Sequence, residues 1–598
     1  MPRSSHRLRT ARRPKGRTGF LFMVAAGLLA TAIVVVGTSL GHAQIIPTDP
    51  QLTCIVKDEV FKSWFATGSV SLNGVVKPAN GIKFPDDTNC DFYQWSEQMF
   101  LWLTSPAPDG HGRIIDSAEF YDVSLPTNGV RTFLPHAPGG PIRTFNLRSA
   151  QAGPHGLQLL FDRSGKMFEI APLKRGPGSK PLVLNQLGKP VEVASARMEG
   201  GKAVFLDKSG QPIASPKPIP EALAAPAPSF EGAETIRTAY KFMIGKTPIF
   251  LDANGEVIDT AVGQAGSDGV LEAQNGSLVY YVTMANDVFA YFLTGTKTGG
   301  IKPAPTQFPT TQPELDKIIA FAASHGKKFL DPQALTIEVK SSWIDINLLE
   351  YPDRYITMEA IVPTYDRSNS FRWTPNGSKK TRLAMVGMHV VGSAHGNPEM
   401  LWATFEHFGS APNAAYDYIS ATGTTKTVEQ NTVGKWLFSK SGSAGPFNDM
   451  YMSLVDNAIL AEYPHTVSPS NTLRMKPWGG AANLKPNGMV LSTAASNTEI
   501  ISINNSVLGQ LSTGDVRKNY FMMGNTWTKG GAAPTGSYPG TGAQVPGQEV
   551  GTSKLANPTM ETYQQGTTLW ATGSNCFTCH RSNSTSVSHV YPSLKPLF

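Results

Sequence analysis

The sequence predicts a mainly β, α+β fold: a β-rich body with a few helices, closing on a short C-terminal tail of different character. Three observations carry that expectation. Glycine and proline are abundant (57 and 45 of 598 residues) and charged residues sparse at 16 %, a balance that suits strands and loops better than helices. Several stretches alternate apolar and polar residues with period two, which marks half-buried strands. Helical spacing is confined to a few windows, at 91–104, 311–325 and 450–463.

Residues 1–43 read as an export leader. Arg3, Arg7, Arg9, Arg12, Arg13, Lys15 and Arg17 precede an uncharged run from Phe20 to Leu40, and Gly41-His42-Ala43 offers a small-residue cleavage site. The run exceeds the usual apolar core of about 7–15 residues. An uncleaved membrane anchor through 20–40 is therefore the alternative to cleavage after Ala43. Either way the body is expected to be exported, periplasmic or secreted. The seven cations of the leader account for the whole excess of 52 Lys+Arg over 45 Asp+Glu. The body is thus neutral overall, which gives no case for nucleic-acid binding.

Residues 44–150 form a mixed N-terminal region with a helix at 91–104, whose apolar side is Phe92, Trp95, Met99, Trp102 and Leu103. That stripe is expected to pack in the core, with a cofactor-pocket wall as the other use. Cys54 and Cys90 are expected to pair in an oxidising compartment, closing a loop that would stabilise the fold by roughly 3–4 kcal/mol. Residues 151–310 are hairpin-rich. Phe161-Asp162-Arg163-Ser164-Gly165, Leu206-Asp207-Lys208-Ser209-Gly210 and Leu251-Asp252-Ala253-Asn254-Gly255 repeat an apolar-D-x-[SN]-G core whose glycine suits a positive-φ turn. None continues into a calcium loop with its closing Glu. Pro212 to Pro228 reads as an exposed linker.

Residues 311–550 form a β-rich core opened by a capped helix, with Thr311 as N-cap and Glu314 completing the capping box. Ala334–Lys340 and Tyr355–Val362 read as alternating strands; Leu383–Gly392 and Leu401–Phe408 read as buried strands, each with a histidine among apolar residues, His389 and His407. The remainder is rich in Gly, Ser, Asn and Thr and is expected to be loops around one helix near Met450 to Tyr463.

Residues 551–598 are the tail, and its Cys576-Phe577-Thr578-Cys579-His580 matches the C-x-x-C-H attachment motif of c-type haem. Two thiols three positions apart add to the two vinyl groups of one porphyrin, and His580 supplies the proximal imidazole. A zinc site would need two further ligands nearby, and a redox C-x-x-C would sit beside a βαβ unit. The expected cofactor is one covalently bound haem c. Only eighteen residues follow the motif, too few to enclose a porphyrin, so the β-rich body must supply the pocket walls. The sixth iron ligand is open among His389, His407, His589 and the thioethers of Met560, Met522 and Met523, with an iron left open on that side as the further alternative.

Asn89-Cys-Asp-Phe-Tyr-Gln-Trp-Ser, Gly387-Met-His-Val-Val, Trp402-Ala-Thr-Phe-Glu-His and Asn557-Pro-Thr-Met-Glu-Thr-Tyr-Gln, with the single C-F-T-C-H, resemble the large bacterial single-haem "cytochrome c family" proteins. The resemblance spans most of the exported chain. It implies an exported haem c protein with His389 and His407 at positions typical of the group, and it implies no particular reaction. Dihaem peroxidases and rubber oxygenases carry two haem motifs where this chain has one.

Two functions follow as expectations. In the first, the protein is an electron carrier whose body docks a redox partner protein. In the second, it is a haem enzyme, peroxidase- or oxygenase-like, acting on a small-molecule oxidant or substrate. There His389 or His407 would be the distal acid/base, with Glu406 beside it and Trp402 and Phe405 as pocket wall. A third expectation makes the body a binding module for a surface polymer. No zinc-protease, nucleophile-elbow, Walker or dinucleotide motif stands in a suitable context.

Overall fold

A twelve-stranded sheet organises the chain in the computed structural model, which describes residues 46–598 apart from 126–129, 137–142, 145–146, 148–157, 162–166, 200–201, 222–235, 245–246, 259–268, 456, 462–464, 482, 485–489, 537–544 and 566–575. Its principal strands are β1 (Phe120–Val123), β2 (Phe133–Pro135), β3 (Tyr280–Asn286), β4 (Ile337–Asp345), β5 (Thr357–Asp366), β6 (Arg372–Ala394), β7 (Asn397–His407), β8 (Tyr520–Thr528) and β9 (Glu549–Gly551). They lie in the order β2-β1-β3-β4-β6-β7-β8-β9, with β5 paired to β6, and each of these neighbours runs antiparallel. Among the described residues strands take 32 % and helices 20 %, so the mainly β, α+β expectation holds. Residues Gly41–Phe598 form one compact unit. The leader lies outside the described residues, and among those described no helix is long and apolar enough to cross a membrane.

The expected strands are present with shifted ends: the first starts at Ile337 and the second runs on to Asp366. The two histidine-bearing stretches are the long central strands β6 and β7, paired through Gly387↔Glu406, His389↔Thr404 and Val391↔Trp402. Alternation sends neighbouring side chains to opposite faces. One face meets two helices, α2 (Asn89–Leu103) and α5 (Thr493–Gln510). There Phe100 stacks on Phe405 at 4.3 Å and Phe92 on Trp527 at 3.8 Å, so the aromatic stripe of α2 is core packing. The other face carries the C-terminal tail.

The disulfide joins Cys54 to Cys90, tying the segment before α1 (Asp58–Trp64) to the first turn of α2, with Cα atoms 5.3 Å apart. The capped helix α4 (Gln312–Ser324) forms with its Thr311–Glu314 capping box; it follows α3 (Asp287–Thr298), N-capped by Asn286. Two of the three repeat turns are described: Asp207 and Asp252 each accept two backbone N–H groups, and Gly210 and Gly255 take φ +77° and +88°. The third, at 162–166, lies outside the described residues.

Three expectations need correction. The helix near 450–463 is a hairpin, Met452–Val455 against Ala458–Ala461, turned at Asn457 (φ +63°) and paired onto the start of β6. Its apolar residues satisfy period two as well as they satisfy a helix, and pairing with β6 decides. The loops expected beyond Gly409 include the eighteen-residue α5. Its polar composition hides a buried helix: Ser492 caps it, Asn504 bonds both the N–H and C=O of Met522, and Ser502 bonds both backbone groups of Cys54. Finally, Pro212–Pro228 is not simply an exposed linker, because Lys217–Pro218 pairs with Leu182–Leu184 and Ile213 is buried; 222–228 lie outside the described residues.

Candidate functional site

The tail is fastened to the open face of the sheet by its Asn-Pro-Thr turn. Asn557 Nδ2 donates to Thr404 Oγ1 (3.1 Å) and to the Phe405 carbonyl (3.0 Å), and Thr559 shares a hydrogen bond with Ser342 (2.6 Å). Gly387 is required there, since a Cβ would stand 2.6 Å from Thr559 Oγ1 and 3.0 Å from Asn557 Nδ2. This anchoring brings Glu561 to His389, whose Nε2 donates to Glu561 Oε1 at 2.8 Å, while Glu561 Oε2 accepts the Asn557 N–H at 2.9 Å. Burial alone would raise the Glu561 carboxyl, but His389, Lys340 and the Asn557 N–H outweigh it and hold it below the usual carboxylate range.

Further along, Cys576–Cys579 form a single helical turn, and the His580 N–H bonds the Cys576 carbonyl at 3.0 Å. The turn is held from below by Glu549 of β9, which accepts from the Phe577 N–H (3.3 Å) and from Thr526 Oγ1 (2.9 Å). Burial pushes the Glu549 carboxyl up to about 8.

His580 is oriented by one decisive contact. Its Nδ1 stands 2.9 Å from the Val587 carbonyl oxygen. A carbonyl only accepts, so Nδ1 carries the proton and Nε2 keeps a bare lone pair. Burial lowers this imidazole to about 4, which keeps it neutral in ordinary conditions. His589 lies flat on one side of the ring, centroids 3.9 Å apart at 16°, and Trp402 stands at 4.2 Å and 52°.

The sheet beneath forms a floor in two rows. Glu338, Val391 and Trp402 lie side by side on β4, β6 and β7, and Lys340, His389 and Thr404 form the next row. Glu338, Lys340, His389, Trp402 and His580 each stay partly exposed where the tail crosses the sheet, and this partly exposed patch is the recess of the tail face. Ser588 crosses it to donate to Glu338 at 2.6 Å.

Of the candidates for the far side of an iron, the structure brings only His389 to this recess. His589 lies flat on the face of His580, off the line of its Nε2 lone pair, and packs against that imidazole. His407 belongs to the helix-facing core: it stacks on Tyr355 at 3.9 Å, its Nδ1 accepts the Gly409 N–H at 3.0 Å, and burial lowers it to about 3. Met560 is fully buried in a separate apolar cluster with Tyr281, Val386 and Tyr563. Met522 and Met523 lie in the core beneath α2 and α5. Glu406 is no partner for His407, because adjacent strand residues face opposite ways. It forms a fully buried ion pair with Arg474 at 2.7 Å. Trp402 does line the recess, whereas Phe405 packs on α2. Glu561, Glu338 and Lys340 were invisible as site residues, since each needs a strand or a turn far away in sequence to give it meaning.

The donor set fits a c-type haem. The Cys576–Cys579 turn is helical, and the His580 imidazole is neutral with Nε2 bare. The backbone carbonyl on Nδ1 is the outer hydrogen bond that metal-bound histidines use. Among the described residues no group of three or more His, Cys, Asp and Glu side chains could cage a bare metal ion. The chain matches no protein-family model, no curated protein and no solved structure.

Proposed function

We propose that this chain is an exported monohaem c-type cytochrome of the large bacterial single-haem kind, passing electrons to or from a redox partner in the periplasm or outside the cell. Cys576 and Cys579 would hold the porphyrin and His580 the iron. When bound, the haem supplies one-electron exchange between Fe(III) and Fe(II). The observation that supports the reading is the Nδ1 contact of His580 to Val587, which presets the tautomer an iron ligand needs in the residue that follows C-x-x-C. The chain's own part is to hold that imidazole, to wall the recess with Trp402 and His589, and to keep charge close by in Glu561, Lys340 and Glu338.

The test begins with covalent haem staining of the protein expressed with export and haem-attachment machinery. Staining is expected in the wild type and should vanish in Cys576→Ala/Cys579→Ala; a stained double variant refutes the attachment assignment.

A second reading, a haem enzyme, is favoured by one contact: His389 paired with Glu561 at 2.8 Å in the same recess, a histidine oriented by a carboxylate as acid/base residues are. Spectra separate the two. A low-spin ferric form that resists cyanide and carbon monoxide refutes the enzyme, and a high-spin form that reacts with peroxide refutes the simple carrier.

A further inference from the structure

The carbonyl that sets the proton on His580 belongs to Val587, in a stretch with little regular structure of its own: one short helical turn at Thr585–Val587, capped by Ser584. Such a turn does not fix where its last carbonyl stands. Its own hydrogen bonds, from the Val587 N–H to the Ser584 carbonyl and from the Ser588 N–H to the Thr585 carbonyl, travel with it. Its place must come from groups outside it, and consecutive residues make the connection. The Val587 carbonyl faces His580 Nδ1 at 2.9 Å, the Ser588 hydroxyl donates to Glu338 Oε2 at 2.6 Å, and the His589 ring lies on the His580 ring at 3.9 Å.

Glu338 is the rigid end of this connection. It stands in β4 between Ala285 of β3 and Val391 of β6, paired on both sides, so its backbone is held by the sheet. Desolvation raises its carboxyl, while the Ser588 hydroxyl, Arg131 and Lys340 favour the charged form. A hydroxyl-to-carboxylate bond of 2.6 Å is as short as charge-assisted ones, which are about twice as strong as neutral pairs. The other contacts of the turn are a 3.1 Å bond from the Thr585 N–H to the Thr306 carbonyl and the apolar packing of the Val587 side chain, neither of which aims the Val587 carbonyl. Lys297 Nζ donates to the carbonyls of Tyr591, Pro592 and Leu594, so it holds the end of the tail and not the turn beside His580. Which ring nitrogen of a histidine carries the proton is set by the hydrogen bond its partner atom makes. A Val587 carbonyl that drifts away therefore releases the proton to Nε2.

We propose that Glu338 is a positioning residue for His580: through Ser588 it holds the Val587 carbonyl where that carbonyl keeps the proton on Nδ1 and leaves Nε2 bare. The use of that bare nitrogen rests on the haem c reading, and the experiment keeps the two apart. Covalent haem staining tests the reading; an unstained, folded wild type refutes it and leaves the positioning to its own measurement. That measurement is made on the full exported chain carrying Cys576→Ala/Cys579→Ala, which offers no thiols at the motif. NMR of isotope-labelled histidine ring nitrogens reports which nitrogen is protonated, with the His580 signals assigned by their loss in His580→Gln. Expected in this parent is one neutral form with the proton on Nδ1. In Ser588→Ala and in Glu338→Met a second form, protonated on Nε2, should reach about a tenth of the signal or more. Glu338→Gln, which keeps an acceptor for the Ser588 hydroxyl, should move back toward the parent. A Ser588→Ala chain that keeps the single Nδ1–H form overturns the proposal, and so does a Glu338→Gln chain no closer to the parent than Glu338→Met. Where Ser588→Ala or Glu338→Met fails to accumulate, the other is read by the same signals and the same criterion.

Discussion

Removing the Glu561 carboxylate should be among the more damaging single changes on the tail face, and its cost can be worked from its contacts. In Glu561→Ala, His389 loses a charge-assisted hydrogen bond of 2.8 Å, worth about 1.5–3 kcal/mol, and the Asn557 N–H loses its acceptor at 2.9 Å, at about 1–3 kcal/mol for an orphaned donor. The side chains of His389 and Glu561 are 21 % and 16 % exposed, so water recovers part of both. A total of about 3 kcal/mol at neutral pH is expected, with Glu561→Gln about half as costly because its amide oxygen keeps one of the two bonds. The pH sign is fixed by the direction of the shift. A carboxyl held below its unfolded value stabilises the fold above about pH 4.5, and that contribution is lost as pH falls through the lower folded value. The gap between wild type and Glu561→Ala should therefore be full at pH 7 and close on acidification. Urea unfolding followed by circular dichroism, repeated across pH, measures both effects. A Glu561→Ala protein within about 0.5 kcal/mol of wild type at pH 7 would refute the reasoning.

Three other outcomes are expected. Cys54→Ser/Cys90→Ser closes no loop across its separation of 36 residues and should lose roughly 3–4 kcal/mol, seen as a lower urea midpoint than the oxidised wild type. Burial raises Glu97 of α2 to about 8, so its contribution is complete below about pH 4.5 and disappears as pH rises toward 8. Glu97→Gln should accordingly flatten the stability–pH curve by up to about 1.4 kcal/mol per unit over that window; identical slopes for variant and wild type would count against it. Finally, His407→Phe should leave the visible spectrum of the haem-loaded protein as in wild type, whereas His389→Ala should alter it, because only His389 lies in the recess with His580. A His407→Phe spectrum that changes as much as that of His389→Ala would return His407 to the site.

The sequence by itself determined what is local. Thr311 and Glu314 are three residues apart and close their capping box without help, the D-x-[SN]-G turns need only their own backbone, and period two identifies β4 and β5 while unbroken apolar runs identify β6 and β7. C-F-T-C-H fixes the spacing of its two cysteines and places His580 directly after them; the helical turn at Cys576–Cys579 came from the structure. The pairing of Cys54 with Cys90 was legible too.

What only the tertiary structure decided is which distant groups share a space. Glu406 precedes His407 in the chain, yet strand alternation sends them to opposite faces of the sheet, and Glu406 meets Arg474 instead. His389 finds its carboxylate 172 residues away, because the Asn557 turn is bonded to Thr404 and Ser342 lies under Thr559. The same physics hid α5, whose serines and asparagines look like loop until the backbone groups of Cys54 and Met522 arrive to bond them. A polar residue in a sequence is ambiguous because its partner is unknown; packing supplies the partner, and with it the difference between a solvated loop and a buried helix.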